Sequence, residues 1–244
     1  MSLREKHVIV AGGGSGIGLG VARAALAEGA TVTLAGRTPE KLAHAAGVLG
    51  AAPGDAARVR TAVADISREG DVARLFAAGG PVDHVVVTAV SAYYQPVAQL
   101  ELPEARRAID SKLIGPLLVA KHASGRLREG GSITFTAGIN AHRPAAGGAV
   151  LAAANGALEA LGRALAVEMA PVRVNVVAPG WVDTPVWEVV AGPRKAEVLG
   201  AMAARLPAGR VGTPEDLAHA YLFLMANAFT TGIVLHVDGG HRLA

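Results

Sequence analysis

Ala11-Gly12-Gly13-Gly14-Ser15-Gly16-Ile17-Gly18 decides how the rest of the chain is read. A short apolar run, Val8-Ile9-Val10, precedes it, and behind it Leu19, Ala22, Leu26 and Ala30 recur on one helical face. Strand, glycine turn and helix in this order form a nucleotide-binding arrangement. Glycine tolerates positive φ and lets a pyrophosphate approach where a Cβ would stand in the way. The helix behind it points its free N–H groups and positive dipole end at phosphate.

Outward from the turn, residues 31–35 are a β-rich run that ends in Gly36-Arg37. Thr38-Pro39-Glu40 supplies an N-cap with proline at the first helical position, so a helix is expected to about residue 49. Residues 58–64, 83–89, 132–136, 172–177 and 233–237 read as further strands. Within 83–89 the continuous apolar run Val85-Val86-Val87 fits burial on both faces of a parallel sheet. Ser67 is the expected cap of a helix through Val72, Leu75 and Phe76. One long helix is expected over 103–128, interrupted at Gly115-Pro116, and a second over 149–169. Residues 187–206 read as partly helical and mobile. Thr213-Pro214-Glu215-Asp216 repeats the cap-then-proline signature and heads a helix to about Asn227. Strands alternating with helices predict right-handed βαβ units in a parallel sheet with helices on both faces. Such a sheet takes its ligand at the carboxyl ends of the strands, near the switch point. With no linker, repeat or low-complexity stretch, one domain over residues 1–244 is expected.

Composition removes several function classes. The chain has 244 residues, of which 51% are hydrophobic, so it can bury a full core and disorder is excluded. The lack of cysteine excludes disulfides, thiolate metal sites and a cysteine nucleophile, and fits a reducing, cytoplasmic setting. The first six residues are charged rather than signal-like, and no uninterrupted apolar run reaches about 18 residues, so no membrane span is expected. A net charge of +3, scattered along the chain, does not argue for nucleic-acid binding. The histidines show no metal-ligand spacing, with His219, His236 and His241 isolated, and no metal is expected. Glu159 and Glu168 read as exposed helix charges.

The spacing Gly12-x-x-x-Gly16-x-Gly18 resembles the T-G-x-x-x-G-x-G turn of the short-chain dehydrogenase/reductase family, with Ala11 in place of the threonine. Further matches occur in order along the chain. Asp65 closes the third strand, Val87-Thr88-Ala89-Val90 occupies the place of N-N-A-G, Pro179-Gly180-Trp181-Val182-Asp183-Thr184-Pro185 resembles the nicotinamide turn, and Val237-Asp238-Gly239-Gly240 resembles the C-terminal V-D-G-G. The resemblance spans essentially the whole chain. It implies an α/β fold, a single Rossmann-type doubly wound parallel seven-stranded sheet with helices on both faces. It also implies cofactor contacts at Gly12, Gly14, Ser15, Gly16, Ile17, Gly18, Asp65, Ile66, Ala89, Pro179, Gly180, Val182 and Thr184. A homo-oligomer, tetramer or dimer, is implied in the same way, with the small residues Ala152, Gly156 and Ala160 permitting close approach of helices.

NAD binders of this kind hold the ribose 2′-hydroxyl with a carboxylate after the second strand. Gly36-Arg37 offers none, and Arg37 suits a 2′-phosphate, with Ser15 as a second contact, so NADP(H) is the expected cofactor. The bland alternative is that Arg37 is an ordinary solvated charge ahead of a helix.

The family's reaction uses a tyrosine and a lysine four residues apart on the second long helix. By resemblance Leu151 and Asn155 stand at those positions, and neither can pass a proton. Thr136 is the hydroxyl nearest the family's serine, and Lys112 stands at the place of its helix asparagine. Substitute proton donors are Tyr93 and Tyr94, otherwise an aromatic rim of the pocket, and His142, otherwise an exposed loop histidine. Lys112 either points into the site or snorkels to the surface. Trp181 and Trp187 read as apolar walls or lid residues. Three functions therefore compete. The first is an NADP(H)-dependent oxidoreductase with a non-standard proton donor, acting on a small carbonyl, alcohol or imine. The others are a redox-silent NADP(H) binder, as sensor or non-catalytic subunit, and a non-redox enzyme that reuses the pocket.

Overall fold

A computed structural model describes residues 2–244. The strands are β1 (His7–Ala11), β2 (Thr31–Gly36), β3 (Val59–Val63), β4 (Val82–Val87), β5 (Leu127–Thr136), β6 (Arg173–Pro179) and β7 (Val234–Val237). The α-helices are α1 (Gly16–Ala27), α2 (Pro39–Leu49), α3 (Glu69–Ala78), α4 (Leu102–Ile109), α5 (Gly115–Ala123), α6 (Ala149–Glu168), α7 (Val186–Val190), α8 (Lys195–Ala203) and α9 (Pro214–Ala226). Among the described residues, seven strands form one parallel sheet in the order β3-β2-β1-β4-β5-β6-β7. The order reverses direction between β1 and β4, which opens a crevice at their carboxyl ends.

Two apolar layers hold the sheet. Ile9, Val85, Val87, Ile133, Phe135, Val174 and Val176 bury one face against α3, α5 and α6. Val8, Val10, Val32, Leu34, Val86 and Val177 bury the other with α1, α2 and α9. Covered on both faces, β1, β4 and β6 are buried at every position. The helix α6, 20 residues long, reaches a mean hydropathy of 1.3 over an 18-residue stretch, long and apolar enough by those measures to cross a membrane. Its buried Leu158, Leu165 and Ala166 lie in the core layer with Val174 and Val176 of β6, which accounts for the apolarity.

Several elements differ from the sequence reading. The helix expected to break at Gly115-Pro116 instead runs on through a π-turn, Asp110–Ile114, between α4 and α5. Pro116 lies in the first turn of α5, where its missing N–H displaces no established bond. Ser67 does not cap α3, because its hydroxyl and N–H are both drawn into a turn on Asp65 Oδ1 (2.7 and 3.0 Å), and Arg68 takes the cap position. Strand β5 starts at Leu127 rather than near 132, with a register shift against β4 between Val82 and His84. Thr38 holds the N-cap position of α2 without a side-chain bond, whereas Thr213 and Asp216 form a complete capping box on α9.

Polar groups under the sheet carry a stability prediction. His84 is buried and its Nδ1 meets Ser132 Oγ at 2.9 Å. Burial, reinforced by Arg173, lowers its pKa from 6.5 to about 4. Between those values the unfolded chain takes up a proton that the native state refuses. Stability is therefore expected to fall by about 3 kcal/mol as the pH drops from 7 to 4. Urea unfolding of wild type and His84→Gln across this range checks it, since the variant lacks the part of the slope that His84 supplies.

Candidate functional site

The glycine turn sits at the carboxyl end of β1, facing the end of β4. Gly12 has φ +94°, and a Cβ there would lie 2.5 Å from Thr88 Oγ1 and 2.6 Å from the Ala89 nitrogen. A Cβ on Gly18 would lie 2.2 Å from the Gly12 oxygen. The turn thus closes on itself and on β4 at distances no side chain permits. Ser15 is the N-cap of α1 in extended backbone, but its hydroxyl makes no cap bond. The first N–H groups of α1 therefore remain free to meet an anion.

Other expected cofactor residues ring this turn. A Cβ on Gly16 would lie 3.3 Å from Thr184, so the start of α1 meets the turn after β6. Thr184 is buried, Val182 bridges to Gly212, and Gly180 lies directly over Asp238. Ala89 donates its N–H to Ala11 O, and Pro179 is the last residue of β6. Arg37 is exposed and Nη1 donates to Ser91 Oγ at 3.3 Å, a weak contact that a stronger acceptor can displace. Asp65 keeps Oδ1 in the turn with Ser67. The Ile66 side chain lies in the core against Gly115, so only its backbone borders the cleft. Trp181 and Trp187 stack with ring centroids 4.3 Å apart, and Trp187 Nε1 donates to Val182 O.

The candidate proton donors separate once their partners are known. Thr136 is not available, because its hydroxyl donates to Val87 O (2.7 Å) and meets the Tyr221 hydroxyl at 2.6 Å inside the core. It points into the α9 layer because strand alternation turns position 136 away from α6. The Tyr93 hydroxyl accepts the Glu101 N–H at 2.7 Å, and the Tyr94 hydroxyl accepts from Asn140 Nδ2 at 3.3 Å. Both rings belong to the loop after β4, Tyr94 being exposed. His142 is no free loop histidine, since its Nε2 lies 3.0 and 3.1 Å from the two Glu159 carboxylate oxygens. Glu159 is buried, contrary to the exposed charge expected. His236 is not isolated either, its ring standing edge-on to His142 at 4.6 Å. Glu159 succeeds Leu151 and Asn155 at intervals of four on one helical face, a spacing from which its inward direction was readable.

Lys112 does not snorkel. It is 6% exposed, on the π-turn, and its hydrogen bond among the described residues runs from Nζ to Ala137 O at 3.0 Å. Burial lowers its pKa from 10.5 to about 8. Across the same peptide, Asn155 packs on Gly138, where a Cβ would lie 3.0 Å from Asn155 Nδ2. Asn155 Oδ1 is buried with no hydrogen-bond partner. Leu151, one turn before, is buried and apolar. The end of β5 therefore gathers a buried ammonium with spare protons and a buried oxygen with a free lone pair. Among the described residues, no group of three or more histidine, aspartate or glutamate side chains is placed to hold a metal.

A family model described as enoyl-(acyl carrier protein) reductase matches residues 11–242. The short-chain dehydrogenase/reductase ATR9 of Stachybotrys chlorohalonatus is 36% identical over 98% of both chains. The chain belongs to the short-chain dehydrogenase/reductase family. Its fold agrees with solved members of that family of oxidoreductases. The structure of the MalC reductase/Diels-Alderase from Malbranchea aurantiaca is 34% identical, covers 99% of this chain and 98% of its own, and superposes with a TM-score of 0.92. A small-chain dehydrogenase solved in complex with NADPH is also 34% identical, with a TM-score of 0.82 over 98% of this chain and 99% of its own.

Proposed function

We propose that the chain, working as one dinucleotide-binding unit over residues 1–244, is an NADP(H)-dependent oxidoreductase whose proton donor is Lys112. Its substrates are small carbonyls, alcohols or imines. The carrying observation is the Lys112 ammonium, buried at the end of β5 beside a buried amide and with no carboxylate bonded to it. In this reading Leu151 and Asn155 stand at the family's tyrosine and lysine positions, and the acid comes from the facing helix instead. The glycine cradle fits a pyrophosphate, and the related dehydrogenase bound to NADPH supports the cofactor.

NADP(H), when bound, supplies or takes up hydride. The turn from Gly12 to Gly18, with Gly14, Ser15 and Ile17, holds the phosphates on the free N–H groups of α1. Arg37 exchanges Ser91 for the 2′-phosphate. Asp65 and the Ile66 backbone border the adenine side, while Ala89, Pro179, Gly180, Val182 and Thr184 border the nicotinamide side. Asn155 Oδ1 accepts a hydroxyl and so gains the partner it lacks. Lys112 gives its proton to the substrate oxygen or nitrogen, a role suited to an ammonium whose pKa lies near 8. Reduction that needs protonated Lys112 falls as the pH rises above about 8. A pH profile of kcat/KM with NADPH and a carbonyl and imine panel tests this. An alkaline limb near 8 in wild type supports the assignment, and a profile flat to pH 10 removes it.

A second reading is favoured by MalC, which is named a Diels-Alderase as well as a reductase. The stacked Trp181–Trp187 pair offers a flat wall for a ring-forming reaction that consumes no hydride. For assembly, we propose a homodimer or homotetramer. Gly156 on α6 has open space over it, which admits a second helix.

A further inference from the structure

We infer that Ser111 is a positioning residue, clamping the π-turn to the loop after β4 so that Lys112 is aimed at the end of β5. This rests on Lys112 being the proton donor.

The observation is a chain of hydrogen bonds that the reaction itself does not require. Ser111 lies inside the π-turn and is 7% exposed. Its hydroxyl donates to Ala108 O at 3.1 Å and accepts the Ser91 N–H at 2.9 Å. Ser91 Oγ in turn accepts from Arg37 Nη1. A π-turn carries its bonds from residue i to i+5, as the Gly115 N–H does to Asp110 O. The Ser111 hydroxyl adds a donor to Ala108 O just ahead of this turn. The inserted residue also rotates the side chains beyond it relative to an unbroken helix, and the next residue is Lys112, with Nζ on Ala137 O. On the loop side, Ser91 lies two and three residues ahead of Tyr93 and Tyr94. One small hydroxyl therefore joins two parts: the helix that carries the ammonium and the loop that walls the pocket.

Removing the hydroxyl takes a donor from Ala108 O and the acceptor from the half-buried Ser91 N–H, a loss that relaxation of the turn toward regular α-geometry relieves. Lys112 then leaves Ala137 O. The inference is tested with protein carrying 13Cε-lysine, in which five lysines give resolvable signals and Lys112→Arg assigns the one of interest. In wild type the Lys112 signal titrates near 8. In Ser111→Ala the midpoint is expected to move upward by about one unit or more as the ammonium gains water. In the same variant kcat is expected to fall about tenfold or more, as misplacement of a reacting group does, with the NADPH Kd within about threefold of wild type. Ser111→Thr, which keeps the hydroxyl, restores both. If Ser111→Ala does not fold, Ser111→Cys keeps the volume, weakens both bonds and carries the same test.

A Lys112 midpoint unchanged in folded Ser111→Ala or Ser111→Cys overturns the inference, whatever the turnover does, because a merely structural hydroxyl lowers Tm without moving that titration. A Lys112→Met enzyme with full turnover instead overturns the proton-donor reading, and it leaves the titration result to stand by itself. The two failures are thus read by different measurements.

Discussion

Lys112→Met is expected to lower kcat for NADPH-dependent reduction by about 10²–10⁴-fold, the usual range for loss of a positioned general acid. The same substitution is expected to make the protein more stable. A buried ammonium with one hydrogen bond is an expensive group, and its pKa near 8 instead of 10.5 amounts to about 3 kcal/mol against the charged form. Methionine fills nearly the same volume without the charge. The sign is open to a direct check. Because the folded-state value lies below the unfolded one, the unfolded chain binds the extra proton between about 8 and 10.5. Wild-type stability should rise with pH over that window, while Lys112→Met shows no such rise from this group. Gain of stability with loss of rate marks a residue kept for chemistry rather than packing. If methionine costs both stability and rate equally, Lys112 is a structural anchor for Ala137.

Arg37→Asp is expected to reverse cofactor preference. A charge-assisted bond to a phosphate contributes about 1.5–3 kcal/mol, so removing it costs roughly ten- to hundredfold in NADPH affinity. The new carboxylate adds repulsion to a 2′-phosphate and an acceptor for a 2′-hydroxyl. Since Arg37 is exposed and, among the described residues, bonds Ser91 Oγ at 3.3 Å, little native structure is lost with it. Titration of both cofactors by quenching of Trp181 and Trp187 fluorescence reads the ratio. The wild-type preference should also weaken as salt is raised, because exposed charges are screened. Unchanged relative affinities show that Arg37 reads nothing.

Much of the scaffold was legible because it rests on local rules. The turn from Gly12 to Gly18 leaves room for no side chain at its closest approaches, and Thr213-Pro214-Glu215-Asp216 contains every part of its capping box. The catalytic side was harder to read. A π-turn shifts the helical phase with no cap or breaker residue to mark it, so the helix about Lys112 read as a break at Gly115-Pro116. A long cation on a helix is expected at the surface, and nothing adjacent in sequence announced that Lys112 is enclosed. Thr136 was misread by strand phase, since a one-residue step decides whether a hydroxyl meets the cleft or Tyr221. Glu159 and His142 lie 17 positions apart, and their pairing depends on how the loop after β5 folds back over α6. Ser91 and Ser111 are common residues in common places, and only tertiary contact gives them a role.

The most direct measurement tracks the label from [4-²H]NADPH under single-turnover conditions with the carbonyl and imine panel. Deuterium is expected at the reduced carbon of at least one product, formed at a rate that falls above pH 8 in wild type and collapses in Lys112→Met. Saturable binding of NADPH with deuterium retained on the cofactor for every substrate would contradict the proposed reaction, and would leave a protein that holds the dinucleotide without using its hydride.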